Sequence, residues 1–591
     1  MSVSERQLRR KATRVVVPVE GVRQAAEGGT DPAGGPPGDA SSPAAEAAGS
    51  AGRSAGEPAA SRRGRPTRAG VLRTLCAAVC GLLLAFAFPP HGIWPLSVLA
   101  VAGLSLLTYG RSWKRGLWIG FVFGLVFDLV LLYWLNDSIG TDAWLVLSPV
   151  EALYFGLMGA GLALVARLRW WPLWTACLWV AQEAARGRWP LGGFPWGRLA
   201  FTNAEAPFAP LASLGGEPLV TFAVALCGAL VAAAVPAVRR ARIGWAAVTI
   251  VGAAAVAAAG QAVPLATAGQ SGPKGPATAR IAIIQGNVPH AGMDFLGRPM
   301  QVLQNHVSGT EKLATQVQLG TAPKPDLVVW PENASDADPY SDPAVHVAID
   351  AAAKSIDAPI LVGALVDGSD GRLYNESVVW DPATGPGAAY AKRHLVPFGE
   401  YVPFRSLLSS WITELRRIGH DFTPGTASPV LRAGGVTVGE AMCFEVAYDG
   451  SVHQAVADGG RVLVIPTNNA TYERTDQPGQ QWTIARMRAI ETGRSVVVSA
   501  TSGISGVIRP DGSVQSQTAL ATAAQLDESV ALRDSPTLAD RVGAVPEWVL
   551  TGLGVLAAGW AGARALRRRR AAGAARSAGR ASAEPGAPAP R

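Results

Sequence analysis

The stretch "VTVGEAMCFEVAYDG", residues 436–450, is a β-prone run that reaches a cysteine at Cys443 and carries a glutamate two positions later, Glu445. A cysteine among apolar neighbours reads either as a small core thiol or as a nucleophile set on the loop that follows a strand. Working outward, the same short apolar punctuation recurs in "RIAIIQGNV", "DLVVWPE", "PILVGAL", "YNESVVWD", "RVLVIPTN", "SVVVSATSG" and "SGVIRPDG". Helix-like segments "PAVHVAIDAAAKSI" and "QQWTIARMRAIETG" fall between them. Continuous apolar strands alternating with helices predict sheets covered on both faces, and residues 279–531 are long enough for one such α/β domain.

Outside that domain the apolar residues come in long blocks. Eight runs, at 74–88, 92–109, 117–135, 143–166, 170–181, 219–234, 243–263 and 548–563, predict a multi-pass α-helical membrane region of about eight spans. The fifth and eighth runs are short for the roughly 20 residues a span requires. Lys and Arg cluster in "SRRGRPTRAG", "GRSWKR", "ARLR", "VRRAR" and "RALRRRR", whereas "PPHGIWP" and "NDSIGTD" have none. Because basic loops stay cytoplasmic, both termini are expected inside and the α/β domain outside. The loop "ARGRWPLGGFPWGR" dissents with Arg186, Arg188 and Arg198, read here as functional or lipid-headgroup contacts, with a misplaced fifth span as the alternative. The expected layout is a disordered cytoplasmic tail at 1–68, a seven-span membrane domain at 69–264, the α/β domain at 279–531, a last span at 547–566 and a basic disordered tail at 567–591. The net charge of +8 belongs mostly to these flanks and tails, and no basic surface with interleaved aromatics suggests nucleic acid.

Two other polar residues share the strand-end position of Cys443: Glu332 in "VVWPENAS" and Lys392 in "YAKRHLVPFGEYVPF". A thiol titrates near 8.5 and attacks as thiolate, so a nucleophilic cysteine needs a base and a cation beside it. Of the five cysteines, Cys76, Cys80, Cys177 and Cys227 fall within apolar runs, which leaves Cys443 without a disulfide partner in a domain expected to face an oxidising compartment. The histidines have no metal-ligand spacing, and neither HExxH nor paired CxxC occurs, so no metal or other cofactor is expected.

In order and context, "WPE", "K…PFGEYVPF" and "CFE" resemble the nitrilase (carbon-nitrogen hydrolase) superfamily, whose amidases use a Glu-Lys-Cys triad on an α-β-β-α sandwich. With seven runs before that domain and one after, and with "GFPWGR", "IIQGNV" and "ARMRAIETGRSVV", the chain resembles the apolipoprotein N-acyltransferase family of the bacterial cytoplasmic membrane. The resemblance implies Glu332 as base, Lys392 as cation and Cys443 as nucleophile. It implies acyl transfer from a membrane phospholipid, typically phosphatidylethanolamine, through a cysteine thioester to the α-amino group of a diacylglyceryl apolipoprotein. It also places Glu400, Phe444 and Glu445 near the triad, with Phe444 where the family often has Tyr. Glu400 and Glu445 are open to either a structural or a direct role, and Trp196 to an interfacial anchor or an acyl-chain contact. A membrane-tethered amidase acting on a small C–N substrate and a non-catalytic lipoprotein-binding scaffold are the alternative readings. A transporter is disfavoured by how few charges lie in or beside the runs: Asp128, Glu151 and, just past the fifth run, Glu183.

Overall fold

A computed structural model of the chain describes residues 67–271, 275–288, 299–397, 399–403, 405 and 421–581. The N-terminal tail up to residue 66 and the last ten residues lie outside the described residues, so the expectations for them stop there.

Every apolar run is helical. The helices are α1 (Arg68–Phe86), α2 (Pro95–Thr108), α3 (Trp113–Leu131), the short α4 (Trp134–Ser138), α5 (Thr141–Val165), α6 (Trp171–Arg186), α7 (Ala212–Arg239) and α8 (Ile243–Ala259). Five helices among the described residues, α1, α5, α7, α8 and the C-terminal helix, are long and apolar enough to cross a membrane. Helix α2 is apolar but shorter. The third run is broken between α3 and α4, and the fifth, on α6, is still short at 16 residues. Close approach between α3 and α5 depends on missing side chains. A methyl group on Gly120 would collide with the Phe155 carbonyl, and one on Gly116 with the carbonyl of Gly159. Small residues four apart let the two backbones touch, which is how apolar helices associate without a hydrophobic driving force.

Beyond α8 the chain builds two mixed sheets. The strands are β1 (Thr278–Gln285), β2 (Leu327–Val329), β3 (Ile360–Asp367), β4 (Leu373–Asp381), β5 (Gly385–Ala391), β6 (Val430–Ala433), β7 (Val436–Glu440), β8 (Val462–Thr467), β9 (Val496–Ala500), β10 (Gly506–Ile508), β11 (Val514–Gln517) and β12 (Ala524–Ala531). One sheet has the order β12-β1-β2-β3-β4-β5 and the other β11-β10-β9-β8-β7-β6. Side chains alternate across each strand, so Ile281, Ile283, Val329 and Leu361 of the first sheet meet Val438, Val462, Val464 and Val497 of the second in a shared core. The other face of the first sheet, with Ala282, Ile284, Val328 and Ile360, packs on α9 (Pro299–Gln318) and α10 (Pro343–Ile356). The outer face of the second sheet, with Leu463, Ile465, Val496 and Val498, packs on α12 (Gln477–Thr492), whose sequence neighbour on this side is α11 (Asp449–Ala457).

That outer layer does not stop at α12. Ile484, Met487 and Ile490 belong to the same apolar cluster as Phe123, Phe127, Phe155 and Trp179 of the N-terminal helices. Residues from Arg68 onward form one compact unit. The chain leaves β12 through α13 (Leu538–Val542) into α14 (Val545–Ala581). The tail expected to be disordered from Arg567 is helical as far as Ala581, because its Ala and Arg residues are good helix formers that extend a helix already nucleated.

Candidate active site

Each of the three strand-end residues is carried to one place by a different strand: Glu332 follows β2, Lys392 follows β5 and Cys443 follows β7. The Lys392 ammonium, 1% exposed, lies 2.8 Å from Glu332 Oε1 and 2.9 Å from Glu400 Oε1. Asn375 on β4 ties the same two oxygens together, its Nδ2 donating to Glu332 at 2.8 Å and to Glu400 at 2.9 Å. The second oxygen of Glu332 accepts from the Asn468 backbone N–H at 2.8 Å, and that of Glu400 from Val396 N–H at 2.7 Å. Burial alone would lower the Lys392 pKa, but the Glu332 and Glu400 carboxylates hold it well above its ordinary value. Glu400 is pushed up by burial and by Glu332, against the pull of Lys392.

Cys443 begins the short 3-10 helix Cys443–Ala447 and has φ of +52°, a left-handed conformation that a non-glycine residue adopts at a cost on the order of 1 kcal/mol or more. Burial and the Glu332 charge raise its thiol to about 12, partly offset by Lys392 and a hydrogen bond to Thr467. The resting group is therefore a thiol.

Glu445 holds this turn in place. Its carboxylate accepts from Met442 N–H at 2.9 Å, from Arg393 and His394 N–H at 2.8 and 2.9 Å, and from the Tyr390 hydroxyl. It thereby fastens the Cys443 turn to the backbone beside Lys392. Burial would raise its pKa, but the His394 side chain and the two backbone donors outweigh this and keep it below the usual range. Of the two carboxylates left open by the sequence, Glu445 thus binds backbone and Glu400 touches the ammonium.

The ring of Phe444 turns toward the membrane helices, stacked on Phe194 at 5.7 Å and on Trp196 at 5.8 Å between centroids. Trp196 is 2% exposed and donates Nε1–H to Gln480 Oε1 at 2.7 Å. Its polar edge is thus buried against α12. The three arginines of the dissenting loop find partners within the fold. Arg186 lies 3.6 Å from Glu151 and donates to the Gly197 carbonyl, Arg188 binds Glu547 of α14 at 2.9 Å, and Arg198 binds Asp449 and Glu217 at 2.7 and 2.8 Å. Asp449 and Glu217 also bind Arg488, at 2.9 and 2.7 Å. These charges are neutralised within the fold, so they carry no weight in a count of basic loops.

Three polar residues at the site escaped the sequence reading: Asn375, Asn468 and Glu440. Glu440 ends β7, is fully buried, and neither carboxyl oxygen has a hydrogen-bond partner by distance and angle. Burial, with Glu445 and Glu332 nearby and only Ser377 opposing, raises its pKa to about 8. The unfolded carboxyl titrates near 4.5, so between pH 4.5 and about 8 the folded chain binds the extra proton and stability falls as pH rises. Glu440→Gln removes that slope. In detergent, variant and wild type should melt alike near pH 4, and at pH 8 the variant should be more stable by a few kcal/mol. Parallel pH–melting curves would contradict this.

The chain matches the family model described as apolipoprotein N-acyltransferase N-terminal domain over residues 80–230, and the carbon-nitrogen hydrolase model over residues 280–531. An apolipoprotein N-acyltransferase of Mycolicibacterium smegmatis is 38% identical, covering 84% of this chain and 86% of that protein. Another from Azotobacter vinelandii is 31% identical over 85% and 97%, and one from Vibrio parahaemolyticus 27% over 83% and 97%. A Saccharomyces cerevisiae nitrilase-superfamily structure aligns with 47% of this chain and 97% of that one, at 15% identity and a TM-score of 0.34.

Proposed function

The chain belongs to the apolipoprotein N-acyltransferase family, an acyltransferase of lipoprotein maturation, and on that premise we propose that it acts through a thioester on Cys443 with a membrane phospholipid as donor. The observation that carries this reading is the buried Glu332–Lys392–Glu400 cluster beside a cysteine held at positive φ.

In the first half-reaction Glu332 takes the thiol proton as Cys443 Sγ attacks the sn-1 ester carbonyl of the phospholipid, probed here as phosphatidylethanolamine. Negative charge grows on the carbonyl oxygen. Lys392 has three N–H donors, of which its two carboxylate partners occupy two, and the third serves that oxygen. The ester C–O bond breaks, Glu332 returns its proton to the leaving alkoxide, and a lysophospholipid departs. In the second half-reaction the α-amino group of the S-diacylglyceryl cysteine of an apolipoprotein attacks the thioester and carries the acyl chain away as an amide.

Both substrates are anchored by acyl chains, which gives a reason for fastening a nitrilase-like fold to apolar helices on both sides. In this reading 69–264 and 547–566 are the membrane portions and 279–531 the catalytic portion. The termini are cytoplasmic, and the site opens just above the outer leaflet of the cytoplasmic membrane. Intact-mass measurement of a diacylated lipopeptide, incubated with reconstituted protein and phosphatidylethanolamine, tests the reading. A gain of one acyl chain is expected, and an unchanged lipopeptide mass beside an active positive control would refute it.

A further inference from the structure

One titratable side chain close to the nucleophile turn is not used by the steps above. His394 lies two residues beyond Lys392, and its backbone N–H binds Glu445. Its ring stacks on Tyr448 at 4.4 Å, and the Tyr448 ring meets the edge of Phe444, the neighbour of Cys443, at 5.3 Å. Nδ1 lies 3.0 Å from Ser451 Oγ and 3.7 Å from Glu445 Oε1. A carboxylate only accepts, so its charge on this side favours the proton on Nδ1 and leaves Nε2 as the basic nitrogen. Among the described residues Nε2 has no hydrogen-bond partner, and the side chain is 38% exposed where every triad member is buried. The Tyr448 hydroxyl donates to the Gly193 carbonyl, which puts this stack on the side of the site that faces the membrane helices. A base oriented by a carboxylate and open on its far nitrogen is the arrangement that activates a nucleophile arriving from outside.

We infer that His394 is a general base of the second half-reaction, taking the proton from the lipoprotein amine while Glu332 serves the first. The inference rests on the thioester reading above. As the amine lone pair forms the N–C bond to the thioester carbonyl, Nε2 removes one N–H proton. The C–S bond then breaks, its electron pair goes to Cys443 Sγ beside Lys392, and the imidazolium passes its proton to solvent. Glu445, with its charge near Nδ1, stabilises the imidazolium while it exists. The thiolate regains a proton from solvent, which leaves an amide and a free thiol. The division has a physical reason: the thiol proton starts inside the buried cluster, whereas the amine proton enters with the substrate.

The test separates the half-reactions in the full-length reconstituted chain. Wild type, His394→Gln and His394→Ala are loaded with phosphatidylethanolamine alone and the acyl-enzyme is read by intact mass. Donor is then removed, diacylated lipopeptide added and deacylation followed. Transfer to the lipopeptide should slow about a hundredfold or more in both variants, while loading should slow by far less. Added imidazole should restore part of the transfer in His394→Ala, which a merely structural histidine would not allow. Wild-type transfer in both variants, equal slowing of loading and transfer, or a slow His394→Ala that imidazole leaves unchanged would overturn the assignment. Failure of the wild type itself to form an acyl-enzyme would instead remove the thioester reading, and this inference with it.

Discussion

Cys443→Ala should form no acyl-enzyme and transfer no acyl chain to lipopeptide, with the fold intact. The substitution removes a single sulfur from a side chain that is 8% exposed, and alanine meets the same backbone restriction at φ of +52° as cysteine does. What disappears is the sulfur that carries the acyl group in the proposed mechanism. Removal of a serine nucleophile from a hydrolase costs about 10⁶-fold in kcat, and an effect of that order is expected here. Cys443→Ser should keep a trace of acylation, because the hydroxyl occupies the same place but gives up its proton less readily. Lipopeptide acylation in reconstituted vesicles, measured against the variant's expression and melting temperature, checks both. Full activity in Cys443→Ala would reduce Cys443 to a core thiol.

Lys392→Met should slow both half-reactions together, by about a hundredfold to a thousandfold, since one oxyanion contact is worth that much and both steps pass through an oxyanion. The electrostatics predict a second consequence. Without the ammonium, Glu332 and Glu400 face each other across Asn375 with no cation between them, and one must hold a proton. The proton is then shared within the carboxyl pair, so the loss should vary with pH. Glu332→Gln keeps the hydrogen bond to Asn468 N–H but has no basic oxygen, so thioester formation should fail while phospholipid binding persists. Pre-steady-state loading and transfer rates across pH would check this. A Lys392→Met variant impaired in only one half-reaction would mean that the ammonium does not serve the oxyanion.

The parts of the site that could be read from sequence are those where a polar residue interrupts an apolar strand at its end. Glu332, Lys392 and Cys443 stand out against "LVVWP", "GAAYA" and "VTVGEAM" for this reason. Asn375 and Asn468 do not, because an amide inside "YNESVVWD" or "PTNNAT" looks like the ordinary polar half of a strand or turn, and only the partner across the sheet gives it meaning. Strands β5, β6, β11 and β12 were missed because they lie at or next to sheet edges, where small and polar residues such as those of "GPGAAYA" serve as well as valine. The arginines at 186, 188 and 198 were misread for a related reason. Glu547, which pairs with Arg188, and Asp449, which pairs with Arg198, lie hundreds of positions away, and Glu151, beside Arg186, sits in another apolar run, so the loop looked like a set of bare cations.

The central claim, that the acyl group passes through Cys443, is tested most directly by intact mass of the wild-type protein after incubation with phosphatidylethanolamine alone. The account predicts a gain of one acyl chain, located on the peptide containing Cys443 and removed by neutral hydroxylamine, as a thioester is. No adduct on that peptide from a preparation that acylates lipopeptide, or an equal adduct on Cys443→Ala, would contradict it.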